Sequence, residues 1–264
     1  MVSAGWALEL RGEQIDLDDV RQGLKPPFDP WVEDCRDGEN EILLLRSHSW
    51  ENAETTAEMM ADAVRLIKHI NGALLLEYPD AALISHGVTF RFDEDGLPLP
   101  VTIRGALNIT LPALRARGRA VVESKTPKPE PTPSPMQMRL QKADELTVVS
   151  DLMTFLVRAE NRVEIDTDTW FDVFKAIESV EALVGGEANA IKLAKDWKRA
   201  KQTANRYRHA PSPKHQLPKN PPSVDEAKSI VVAVARDVVD GVTAIGTPYQ
   251  TMVAVSFRHD DISR

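Results

Sequence analysis

A single cysteine, Cys35, leaves the chain no means of closing an intramolecular disulfide, which fits a reducing compartment. No long apolar run occurs, so no segment is expected to span a bilayer. No charged-then-apolar leader opens the chain, because Met1 to Arg11 already alternates like a strand. These absences together lead us to expect a cytoplasmic protein with no membrane partner. Glycine-rich phosphate loops and nucleophile-elbow serines are also missing. His48, His69 and His86 are scattered, without the spacing of a zinc site, so neither a metal nor a cofactor is expected. What is present is a globular balance, 42% apolar and 27% charged. At 264 residues the chain has room for one large domain or two ordinary ones.

The net charge of −8 conceals a segregation. Fifteen acids face five Lys and Arg between Glu9 and Asp62, whereas nine Lys and Arg face only Asp196 between Lys192 and Lys219. Two uses of the basic segment follow. It neutralises the acidic region across an interface, or it contacts an anionic partner, RNA or an acidic protein surface.

Alternating prolines in ESKTPKPEPTPSPMQ, residues 123–137, favour extended polyproline II structure and read as a linker. It separates two expected domains, 1–122 and 138–264. In the first, GWALELRG and EILLLRS alternate or run apolar like strands, with the short helix DLDDVRQGL between them. KPPFDP is a rigid break, and Phe28 and Trp31 beside it are read as plugging a gap between sheet and helix. Met60, Val64, Ile67 and Leu74 place an amphipathic helix over 52–74. HGVTFRF and VTIRGALNITL flank the turn DEDGLPLP as paired strands. The fold class is α+β, with a small antiparallel sheet in this domain.

Beyond the linker the apolar period becomes helical. Leu146, Val149, Leu152, Met153 and Leu156 mark one helix; Trp170, Phe174, Ile177, Val180 and Val184 mark a second, with Thr169 and Asp172 as its capping pair and Gly185–Gly186 as its end. A third is expected from Glu187 to Asn205, with Ile191, Ala194 and Trp197 buried. The fourth follows a Ser223–Glu226 capping box. Four helices with short loops make a compact bundle. TMVAVSF, residues 251–257, is read as a strand or a docked extension.

GWALELRG, FDPWVE, WFDVFKAIE, TANRYRHA and NPPSVDEA together resemble a group of bacterial proteins of uncharacterised activity. The second half also resembles HEPN-type helical domains, four-helix units that include RNA-cleaving toxins and defence effectors alongside non-catalytic binders. That resemblance implies an Arg, then a polar residue, then a His four to six residues further on, and a homodimer bringing two copies together. Arg208, polar His209 and His215 fit this spacing, although Pro211 and Pro213 interrupt any regular helix between them.

Metal-independent RNA cleavage needs a base, an acid and cations on the phosphate. His209 or His215 with Arg208 supplies those chemical types. Binding alone needs less: Lys198, Arg199, Lys201 and Arg206 to track phosphates, and Tyr207 to stack a base. Three readings stand: a binding or regulatory module using segment 192–219, a HEPN-type ribonuclease, and a structural subunit without activity. Against all of them, Arg206 to His209 form the polar end of a helix, where positive charge suits the dipole.

Overall fold

The computed structural model describes residues 4–37, 40–99, 130–162, 167–209 and 214–241. By compactness the chain divides into two units, Met1–Ile70 with Ala81–Met138, and Asn71–Asp80 with Arg139–Arg264. The chain is α+β.

The first unit is built on β1 (Gly5–Arg11), β2 (Trp31–Asp37), β3 (Asn40–Arg46), β4 (Ser85–Phe92) and the two-residue β5 (Pro98–Leu99). They form one antiparallel sheet in the order β2-β3-β1-β4-β5. Between strands lie α1 (Gln14–Gly23) and the start of α2 (Thr56–Glu77). Period-two alternation gives each strand two faces. Ala7, Leu44 and Phe92 meet on one, with Cys35, Ile42 and Phe90 packed against them. Leu8 lies opposite Leu45 and Leu10 opposite Leu43. Trp6 Nε1 donates to Ala53 O, just ahead of α2, and Thr89 Oγ1 donates to Met60 Sδ on it. The α2 stripe is shifted from the expected one: Met59, Ala63, Leu66, Ile67, Ile70 and Leu74 are buried, whereas Val64 is exposed. β2 was not expected. The prolines before it mask a strand that pairs with β3 along its whole length.

Phe28 and Trp31, read as a plug, are both half-buried, and the Trp31 ring lies 4.8 Å from the His48 ring. The D-G turn forms as expected: Asp93 Oδ1 accepts from the backbone N–H groups of Asp95 and Leu97, and Gly96 takes a positive φ of 74°. Residues 101–111, 123–129 and 251–257, to which strands, linker and tail were assigned, lie outside the described residues.

The second unit is helical: the end of α2, then α3 (Pro135–Glu145) from Arg139 onward, α4 (Thr147–Glu160), α5 (Thr167–Val184), α6 (Glu187–Leu193), α7 (Trp197–Arg208) and α8 (Val224–Gly241). α5 is the central element and touches α4, α6, α7 and α8. Its Trp170, Val173, Phe174, Ile177 and Val180 are buried, as are Leu152, Met153 and Leu156 of α4 and Val231, Val234 and Val238 of α8. Gly185 and Gly186 end α5 with φ of 78° and 120°, a region closed to most side chains. The expected capping pair of α5 is corrected. The helix begins two residues earlier, and Thr169 and Asp172 are buried inside it. Asp172 is held instead by Arg162, 3.2 Å, and Arg158, 3.2 Å.

The expected third helix is two helices. Ala194 is extended (φ −139°, ψ 121°) and breaks the run. Beyond the break Trp197, Ala200, Thr203 and Ala204 share the buried face, whereas Ile191, expected in the core, is exposed. Trp197 is fully buried, and its Nε1 donates to Glu181 Oε1 at 3.0 Å.

Candidate anion-binding site at the end of α7

Along α5, Trp170, Phe174 and Glu178 recur every fourth residue and therefore share one face. The last turn of α7 lies against that row. Tyr207 stacks on Trp170, ring centroids 4.9 Å apart and planes 7° from parallel. The guanidinium of the next residue, Arg208, sits over the Phe174 ring at 4.1 Å. Arg208 Nη1 is 3.6 Å from Glu178.

From there the site grows by hydrogen bonds. Arg208 donates from Nη2 and Nε to His209 Nε2, at 3.0 and 3.3 Å. Arginine has only donors, so His209 Nε2 is the acceptor and its ring proton sits on Nδ1. Beyond Pro213 the chain brings His215 back, stacked on His209 with centroids 4.2 Å apart and planes 12° from parallel. Asn205 Nδ2 donates to His215 Nδ1 at 3.2 Å. Arg206 donates from Nη1 to the His209 carbonyl at 3.4 Å. Partial desolvation comes first, then the neighbouring His215 and Arg208; together they hold the His209 pKa below the ordinary histidine value.

Arg206, Tyr207, Arg208, His209 and His215 thus gather at one helix end, and none of them is buried. The other expected binders lie elsewhere. Lys201 is held by Glu181 and Glu187 at 2.8 and 2.9 Å. Burial opposes its charge, but those two hydrogen bonds outweigh it and keep the lysine pKa raised. Arg199 is 3.3 Å from Asp196 and donates weakly to Asn220 O. Lys198 is exposed in the first turn of α7, without an ion-pair partner among the described residues. The carboxylates meeting this segment, Glu178, Glu181, Glu187 and Asp196, are all its neighbours in the helical unit.

The sequence reading missed Asn205, Trp170, Phe174 and Glu178 as parts of the site. The every-fourth-residue row on α5 was visible, but which helix would cover it was not. Chemically, the cluster offers a guanidinium and two imidazoles to an anion, with one carboxylate at its edge. Parallel rings in contact do not flank a phosphorus atom from opposite sides, as a base and an acid in one displacement step would have to. Among the described residues no three His, Cys, Asp or Glu side chains are grouped to hold a metal ion. Nor, among them, is any helix long and apolar enough to cross a membrane. Compared with known proteins, the chain matches no family model, no curated protein and no solved structure.

Proposed function

We propose that the protein is a cytoplasmic binding module whose helical unit, HEPN-like in character, holds the phosphodiester backbone of RNA at the end of α7. The observation that carries this reading is the convergence of Arg208 and His215 on His209, all three still reachable by solvent. Two further points support it. Two other cations of the segment, Lys201 and Arg199, already have acids beside them, whereas this cluster has only Glu178, at 3.6 Å. A phosphodiester oxygen suits the Nη N–H groups that Arg208 does not spend on His209, together with imidazole N–H donors. Binding is favoured over cleavage because the His209 lone pair is engaged by Arg208, not held toward a substrate hydroxyl.

The test is fluorescence anisotropy with labelled RNA over a salt series. Binding should weaken steeply as salt rises. Arg208→Gln should raise Kd and lower the slope of log K against log salt by about 1, one phosphate contact. Shortening of the RNA in the absence of metal would replace this reading with the ribonuclease. Binding to polyglutamate but not RNA would replace it with an acidic protein partner. Binding to neither leaves the structural subunit.

A further inference from the structure

We infer that Tyr207 is a stacking platform for an unpaired base, so the ligand of the α7 site is single-stranded RNA. This rests on the phosphodiester reading above and supplies the strand state which that reading leaves open. Trp170 is buried and lies flat beneath Tyr207, so one face of the tyrosine ring is covered. Tyr207 as a residue stays 42% exposed, and the stack on Trp170 accounts for one ring face only.

Support from beneath matters to the energetics. A ring already fixed on a buried indole loses little further freedom when a base lands on it. The arrangement is two-tiered. Tyr207 lies on Trp170 and Arg208 on Phe174, one α5 turn apart, so two flat groups stand side by side on consecutive residues. One has a π-face for a base, and the other is charged for a phosphate. A nucleotide carries both features in the same covalent unit, whereas an acidic peptide carries only the second. In a duplex the base faces are hidden within the stack, so a stacking platform selects unpaired nucleotides.

The experiment compares three labelled ligands at one low salt concentration: single-stranded oligoadenylate, an abasic ribose-phosphate oligomer of equal length, and an RNA duplex. The single strand should bind about tenfold tighter than the abasic oligomer, the size of one base–aromatic stack. Tyr207→Ala should bring oligoadenylate down to the abasic level, and Tyr207→Trp should keep the difference. If Tyr207→Ala fails to fold, Tyr207→Leu covers Trp170 without an aromatic face and serves the same comparison. Equal affinity for abasic and base-bearing strands would overturn the stacking platform and leave the phosphate site intact. Preference for the duplex would overturn it too. Failure of all three ligands to bind would remove the phosphodiester reading itself.

Discussion

His209 is the residue on which the electrostatics of the site turn. Its depressed pKa means that the unfolded chain binds more protons than the folded one between the folded pKa and the ordinary histidine value. The His209 contribution to stability is therefore present above the ordinary value and is lost as pH falls through the folded one. A bound phosphate acts with the opposite sign, since it favours the imidazolium. Affinity for RNA should therefore rise as pH falls through the same window. Titration of the His209 ring by NMR should give a midpoint below that of free histidine. Arg208→Ala should move the midpoint upward by removing a neighbouring cation, and added RNA should move it upward as well. A midpoint at or above the ordinary value in the free protein would break this account. Trp197 shows the other outcome for a residue singled out from sequence. Its helical spacing marked it as core, and it is fully buried with its indole N–H satisfied by Glu181.

Among the helices, the ends were more legible than the middles. The Ser223–Glu226 box forms reciprocally: Glu226 N donates to Ser223 Oγ at 3.1 Å, and Ser223 N donates to Glu226 Oε2 at 3.0 Å. Ser223→Ala should cost about 1 kcal/mol in urea unfolding, the ordinary worth of such a cap. An unchanged midpoint would show that α8 is held by packing alone. A second box was in plain view and was read as linker. Ser134 and Gln137 exchange the same two bonds around Pro135, which sits at the first helical position. A run of alternating prolines obscured an S-x-x-Q signal that starts α3. The break at Ala194 had no such signal. Alanine favours helix, yet its backbone here is extended, and nothing local to Ala194 marks the break.

For the whole molecule, the notable fact is that Asn71–Asp80 belongs with the helical unit although it lies in the first half of the chain. Gly72 packs so close to Met153 that a Cβ there would overlap it. Arg139, nearly fully buried, donates to Ala73 O and pairs with Glu77 at 2.8 Å and Asp240 at 2.8 Å. Burial opposes that charge, but the hydrogen bonds to Asp240 and Glu77 outweigh it and raise the pKa. A fragment of residues 139–264 keeps Asp240 but loses Ala73 O and Glu77, and leaves the Arg139 guanidinium short of one of its two carboxylates. Breaking a buried ion pair from one side costs about 3–5 kcal/mol, a large share of a total stability of about 5–15 kcal/mol. The fragment should therefore lack the cooperative thermal transition of the full chain, followed by circular dichroism. A sharp melt near the full chain's temperature would show that 71–80 is dispensable.

Local pattern by itself determined the α+β class, the strands at GWALELRG, EILLLRS and HGVTFRF, the glycine end of α5 and the cap of α8. Each depends on residues within a turn or two of one another, and that information is carried by adjacent positions. Tertiary structure alone decided that acids of the same unit take Lys201 and Arg199 and that α5 supplies the floor for Tyr207 and Arg208. It also decided that His215 returns to stack on His209. Those outcomes depend on which surfaces pack together, and a sequence read in windows holds the period of each face but not the identity of its partner.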